Sequence, residues 1–115
     1  MRQPYFSTDV VATGATATVL VRGELDLATA PDLRDALVGC LDHRYPTIDV
    51  DLRDVTFMAC AGINVLLAGR RSATTAGLQL AVVRPSPVAD RLMTLAHTRT
   101  LIKLGDPDSP EAVPA

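Results

Sequence analysis

Aromatic residues are scarce in this chain: its 115 residues include no tryptophan, two tyrosines and two phenylalanines. Proteins that bind single-stranded nucleic acid stack the bases on aromatic side chains along a basic groove. Here acidic and basic residues are interleaved, and the formal net charge is −2. We therefore expect no nucleic-acid partner for this chain.

Cysteines and long apolar runs are also few. The two cysteines, Cys40 and Cys60, belong to no C-x-x-C or Cys/His pattern, so we expect no metal site and two reduced thiols. The first residues, Met1 to Tyr5, lack the apolar run of a signal peptide, and no stretch of the chain approaches the length of a membrane span. These absences predict a cytoplasmic protein that does not bind a membrane.

Sequence motifs of catalysis are missing as well. The chain contains no G-x-G-x-x-G fingerprint, no G-x-x-x-x-G-K-[ST] loop and no G-x-S-x-G elbow. Its two histidines, His43 and His97, fall in predicted surface loops. We expect a protein that is not an enzyme and uses no cofactor.

The pattern of apolar residues predicts alternating strands and helices. The expected elements are strands over 5–11 and 16–22, a helix over 29–41, a strand over 47–58, a helix over 61–75, a strand over 78–83, a helix opening at Ser86 and a short strand over 101–104. This order predicts an α/β domain with a mixed sheet over residues 1–105. Residues 106–115 are acidic and rich in proline, and we expect them to be disordered.

The helix ends carry expectations of their own. Thr29 is placed to cap the first helix, Pro31 suits its first turn, and Asp32 favours its positive end. The third helix has apolar residues at helical spacing, which we expect to face the core: Val88, Leu92, Leu95 and Ala96.

Cys60 and the acidic residues allow two interpretations each. A thiol at a helix start can be reactive, but a small buried residue in a tight turn is the favoured interpretation of Cys60. Solvation is likewise favoured over a catalytic role for Asp49, Asp51 and Asp54.

Three separated segments of the sequence resemble one known family. Gly23-Glu24-Leu25-Asp26 is followed about 30 residues later by Asp51-Leu-Arg-Asp-Val-Thr-Phe-Met-Ala-Cys-Ala-Gly-Ile63, and then by Ser86-Pro87 with Arg91-Leu92. In this order they resemble a STAS domain of the bacterial anti-sigma factor antagonists, from about Tyr5 to Leu104. The resemblance implies a mixed sheet of four to five strands packed with three to five helices. It also implies a role in the regulation of transcription, through binding of an anti-sigma factor that is itself a serine kinase of the GHKL type.

The turn between the third strand and the second helix departs from the family pattern. There the family reads Met-Asp-Ser-Ser/Thr-Gly-Leu, and the kinase phosphorylates the second hydroxyl residue. This chain matches at Met58, Gly62 and Ile63, whereas Ala61 occupies the phosphoacceptor position. The partner-binding residues that the resemblance implies are Glu24, Leu25, Asp26, Met58, Ala59, Cys60, Ala61, Gly62, Ile63 and Asn64.

Three interpretations of function remain open on the sequence. The domain is an antagonist that phosphorylation cannot switch off, a non-catalytic scaffold or subunit of a regulatory complex, or a redox-sensitive module centred on Cys60. The sequence leaves the oligomeric state open.

Overall fold

Four strands form one sheet in the order β1-β2-β3-β4 in the computed structural model, which describes residues 6–102. β1 runs antiparallel to β2, whereas β2, β3 and β4 are parallel to one another. The elements are β1 Ser7–Thr13, β2 Thr16–Leu25, α1 Ala30–Asp42, β3 Thr47–Met58, α2 Cys60–Thr75, β4 Gln79–Val83, α3 Pro87–Leu95 and a 3-10 turn Arg99–Leu101. This architecture confirms the predicted α/β fold with a mixed sheet.

The core lies between one face of the sheet and the helices α1 and α2. Period-two alternation buries every second residue along much of β2 and β3, and helical spacing buries one stripe of each helix. Gly69 of α2 shows how closely these layers pack, because a Cβ atom there would lie 3.1 Å from Leu37 of α1 and 3.3 Å from Leu80 of β4. The fully buried large side chains include Leu25, Leu33, Leu37, Ile48, Leu52 and Leu66.

β2 and β3 extend beyond the end of β4 and stay paired. The register between them shifts twice, between Leu20 and Arg22 and between Gly23 and Glu24. Gly23 has a φ of 93°, a conformation that favours glycine. The carboxyl ends of the two parallel strands therefore meet at one edge of the sheet, where ligand sites of α/β sheets are commonly built.

Two expectations about helix α3 and the chain after it need correction. Ala89 and Met93 are the buried residues of α3, whereas Leu95 is 70% exposed and Ala96 is exposed as well. The orientation is fixed by Ser86, whose amide donates to the Leu52 carbonyl (3.1 Å) and whose hydroxyl accepts from the Ala89 amide (3.3 Å). The expected strand over 101–104 is reduced to one bridge between Ile102 and Val82, and residues 103–104, like the predicted tail 106–115, lie outside the described residues.

A glycine substitution tests the packing of α2 on the end of β2. A Cβ atom at Gly62 would lie 2.7 Å from both Cγ and Cδ2 of Leu25, so we expect Gly62→Ala to lower the free energy of unfolding by about 1–3 kcal/mol through overpacking. The control is Gly39→Ala in α1, where a Cβ meets nothing within 4 Å and helix propensity adds up to about 1 kcal/mol. Urea unfolding of both variants measures the difference, and equal stabilities would contradict the packing described.

Candidate functional site

The loop after β2 and the turn after β3 are joined by backbone pairing. Glu24 lies opposite Phe57 and Leu25 opposite Met58 in the ladder. The Ala59 amide then donates to the Leu25 carbonyl at 2.9 Å, so the contact continues past the end of β3. The first two segments that carry the family resemblance, residues 23–26 and 51–63, therefore meet in one continuous surface.

The loop from Glu24 to Thr29 is held by its own polar side chains. The Thr29 hydroxyl accepts from the Asp26 amide (2.9 Å) and donates to the Glu24 carbonyl (2.7 Å). Asp26 Oδ1 accepts from the amides of Ala28 (3.0 Å) and Thr29 (3.1 Å). This network leaves the loop little conformational freedom, because most ways of rearranging it would break hydrogen bonds of a partly buried segment.

The same network corrects the expected cap of α1. The side chain of Thr29 makes no capping bond to α1, because its hydroxyl is used inside the loop. Asp26 takes over part of the capping role, since its carbonyl accepts from the Ala30 amide at 2.8 Å and its carboxylate binds the amides before the helix. Asp26 thus has a structural function, and its contact with a partner stays a prediction. Pro31 and Asp32 do lie in the first turn of α1.

The turn into α2 has no polar side chain at its cap position. Ala59 has the extended backbone of an N-cap residue (φ −107°, ψ 166°), but its methyl group accepts no hydrogen bond. The helix begins at Cys60, and the Gly62 amide donates to the Ala59 carbonyl at 2.9 Å. The family pattern has an aspartate at position 59, where its carboxylate would cap α2.

Burial divides the ten predicted partner-binding residues into two groups. Leu25, Met58, Gly62 and Ile63 are buried, so they support the surface from below. The exposed or half-exposed group consists of Glu24, Asp26, Ala59, Cys60, Ala61 and Asn64.

Two exposed apolar residues next to this surface were not predicted from the sequence. Leu27 is 80% exposed in the loop that Asp26 and Thr29 hold, and Phe57 is 49% exposed opposite Glu24. Strand alternation gave no signal for Phe57, because Val55 and Met58 are buried while both residues between them are exposed, where the register with β2 skips Thr56. No periodic pattern covers Leu27, whose exposure follows from the shape of the loop.

Among the acidic residues, Asp51 is buried, contrary to the expectation of a solvated side chain. Its Oδ1 accepts from the Arg53 amide at 2.9 Å, and its Oδ2 lies 3.4 Å from Arg53 Nη2 and 3.7 Å from Arg84 Nη1. Two guanidinium groups thus replace the water that a solvated carboxylate would need. Asp54 is exposed as expected, with its Oδ2 3.9 Å from Nε of Arg22.

Comparison with known proteins identifies the fold family. A family model described as "Mlab, STAS domain" matches residues 8–103, most of the chain. The chain belongs to the STAS domain family. A STAS-domain containing protein of Pseudomonas aeruginosa is 27% identical over 95 residues, which cover 81% of this chain and 91% of that protein.

Solved structures similar to this STAS domain include anti-sigma factor antagonists. One from Mycobacterium paratuberculosis superposes with a TM-score of 0.74 and is 26% identical, over 90% of this chain and 89% of that one. The antagonist SpoIIAA in its unphosphorylated form has a TM-score of 0.71 and 18% identity, over 85% of each chain. The fold expected from the resemblance is therefore confirmed.

Other kinds of site find no support in the part of this STAS domain that the structure describes. Within residues 6–102, no three His, Cys, Asp or Glu side chains are grouped to hold a metal ion. The helices in this range are all too short or too polar to cross a bilayer.

The two cysteines of this STAS domain differ in exposure. Cys60 is exposed at the start of α2, so the interpretation as a buried packing residue is wrong. The reason is geometric: the first turn of α2 packs on Leu25 through Gly62, and Ile63 is buried as well, which leaves position 60 on the outer side. Cys40 is buried in α1, and burial raises the pKa of its thiol.

Ala59→Asp tests the missing cap of α2. The carboxylate at position 59 accepts from free amides of the first turn, and we expect the free energy of unfolding to rise by about 1 kcal/mol. Ala59→Leu is the control, because leucine has nearly the shape of aspartate without its oxygens. Denaturant unfolding compares both with the wild type, and a leucine variant as stable as the aspartate variant would argue against capping.

Thiol labelling tests the exposure of the two cysteines. In the native protein we expect a disulfide reagent at neutral pH to modify one thiol quickly, Cys60, because the Cys40 thiol is buried and stays protonated. Denaturant should release a second equivalent. The Cys60→Ser variant should show no fast reaction, and a fast reaction in that variant would contradict the burial of Cys40.

Proposed function

We propose that this STAS domain acts as an anti-sigma factor antagonist that binds an anti-sigma factor of the GHKL serine-kinase type. One observation carries the proposal: the exposed turn at residues 59–61 is fixed beside the loop at residues 24–29 by the bond between the Ala59 amide and the Leu25 carbonyl. The likeness to the Mycobacterium paratuberculosis antagonist, at 26% identity over most of both chains, supports the same role. A regulator of sigma factors works where transcription occurs, so the proposed location is the cytoplasm.

The chemistry of the proposed surface suits protein binding. Its exposed part combines one carboxylate not used inside the loop, that of Glu24, with small neutral side chains at 59–61 and two exposed apolar residues, Leu27 and Phe57. Exposed apolar side chains on a preorganised loop lose little entropy when they enter a partner's pocket. We therefore propose Leu27 and Phe57 as additional contact residues.

The proposed antagonist is not switched at the usual position. A phosphate at position 61 would bring about two negative charges to this surface, which a partner fitted to the neutral form would have to desolvate or repel. Ala61 has no hydroxyl group, and Ala59 and Cys60 supply none. The amount of protein, rather than its phosphorylation, would therefore set how much anti-sigma factor is bound.

A second candidate is a non-catalytic subunit or scaffold of a regulatory complex. The family model that matches this chain is described by the name Mlab, not as an antagonist, and the turn has lost both the carboxylate at 59 and the hydroxyl at 61. A third candidate, a redox module, draws on the exposure of Cys60. Because an exposed thiol can be labelled whether or not it serves as a switch, labelling cannot separate the third candidate from the first; the effect of oxidation on partner binding can.

The test uses the full chain and the purified GHKL-type kinases encoded in the same genome. We expect one of them to be retained on the immobilised chain and to transfer no phosphate to it from ATP, as measured by intact mass. Phosphate on any residue would contradict the unswitched antagonist. Retention of none of the kinases would favour the scaffold, and binding that oxidation of Cys60 abolishes and reduction restores would favour the redox module.

The double variant Ala59→Asp with Ala61→Ser separates loss of the acceptor from loss of kinase docking. If the surface still docks the kinase, we expect the double variant to gain one phosphate. The phosphorylated variant should then release the kinase. The matched control is Ala59→Asp alone, which should bind and stay unmodified. A double variant that binds but gains no phosphate would show that recognition of the turn by the kinase has also been lost.

A further inference from the structure

The outer edge of β1 is open within residues 6–102. β1 pairs with β2 on one side, and no described strand pairs with it on the other. Alternate residues of such an edge direct their amide and carbonyl groups outward, where another extended backbone can bind them.

The opposite edge of the sheet is different. β4 has only five residues, and Ile102 forms a bridge with its residue Val82. Within the described residues, the long open edge is therefore β1 alone. A chain with one such edge builds a closed two-fold pair instead of an extended fibre.

β1 lacks the features with which proteins usually protect an edge strand. Natural edges carry lysine, proline, bulges or inward charges that block pairing. The strand Ser-Thr-Asp-Val-Val-Ala-Thr has neither lysine nor proline, and its register with β2 is uninterrupted from Ser7 to Thr13. Its one charged residue is Asp9. Val10 and Val11 are 47% and 51% exposed, so both faces of the strand present apolar surface.

The strand is complementary to a second copy of itself. In an antiparallel pair about a two-fold axis at Val10, valine faces valine, and Asp9 faces Val11 of the second copy. Like charges are thus not placed directly opposite each other, which would destabilise the pair. Residues opposite one another share a face of the sheet, so the alternation of β1 is preserved across the seam.

A groove beside β1 adds apolar surface at the same edge. It lies between β1 and α1, has a volume of about 280 Å³, and is lined in part by Val10, Ala36, Gly39 and Tyr45. The two-fold axis would place the grooves of both copies on the same side of the joined sheet, at the seam.

We infer that this STAS domain forms a homodimer by antiparallel pairing of β1 with β1 of a second copy, which joins the two sheets into one of eight strands. The seam contains none of the ten predicted partner-binding residues, so each dimer carries two candidate surfaces. A seven-residue strand gives an interface at the small end of the known range, so we expect a weak dimer that dissociates on dilution. Three carboxylates of each copy lie near the seam, those of Asp9, Asp32 and Asp35. Because added salt screens the repulsion between them, salt strengthens the association.

Sedimentation of the full chain from low to several hundred micromolar tests the dimer. We expect a monomer–dimer equilibrium that shifts toward dimer with salt, and Val10→Lys should remain monomeric because the two-fold axis places the two lysines directly opposite each other. The matched control is Val38→Lys, which changes a valine of similar exposure (45%) in the groove between α1 and α2. It should dimerise like the wild type, and thermal melting monitors the fold of both variants.

A wild-type chain that stays monomeric over the whole range would overturn the inference. Dissociation by Val38→Lys but not by Val10→Lys would also overturn it, because the helical groove would then be the interface. Cysteine cross-linking in a Cys60→Ser background tests the register: Val10→Cys should form a disulfide between copies under mild oxidation, since its Cβ faces its own copy. Val11→Cys, which faces Asp9, should form much less, and equal yields would contradict the proposed register.

Discussion

Leu25 is the residue on which the candidate surface depends. Its carbonyl accepts the Ala59 amide, its backbone pairs opposite Met58, and its side chain, fully buried, leaves no room for a Cβ atom at Gly62. One residue therefore fixes the end of β2, the turn after β3 and the start of α2 relative to one another. The glycine at 62 follows from this contact, because any larger residue would push the helix away from the strand.

Backbone contacts keep this arrangement even though the side chains of the turn have changed. The bond from Ala59 to Leu25 and the bond from Gly62 to Ala59 use main-chain atoms only, so alanine at 59 and 61 is compatible with the geometry. Relative to the family pattern, the turn lacks two functional groups: a carboxylate at position 59 that would cap α2 and a hydroxyl at position 61 that would accept phosphate. The neighbouring loop keeps its polar side chains, Asp26 and Thr29, because they stabilise the loop itself. A surface can thus keep its shape after losing the groups by which it would be switched.

The order of strands and helices was predictable from the sequence because periodic burial of apolar residues is a local pattern, clear in β3 and α2. Predictions failed where a side chain's surroundings come from distant parts of the chain. Asp51 is buried because Arg84, after β4, lies beside its carboxylate in addition to the neighbouring Arg53. Met93 rather than Leu95 faces the core because Ser86 is bonded to β3. Cys60 is exposed because Gly62 is the residue that faces Leu25 and Ile63 lies in the core. Each outcome depends on a tertiary contact that spacing along the chain does not contain.

The central claim is that the surface around residues 59–61 stays in one chemical form. Calorimetric titration of the full chain with the kinase partner proposed for it, before and after prolonged incubation with MgATP, tests this claim most directly. The account predicts the same dissociation constant in both titrations, with the mass of the chain unchanged. A weaker dissociation constant after MgATP, accompanied by phosphate on the chain, would contradict it.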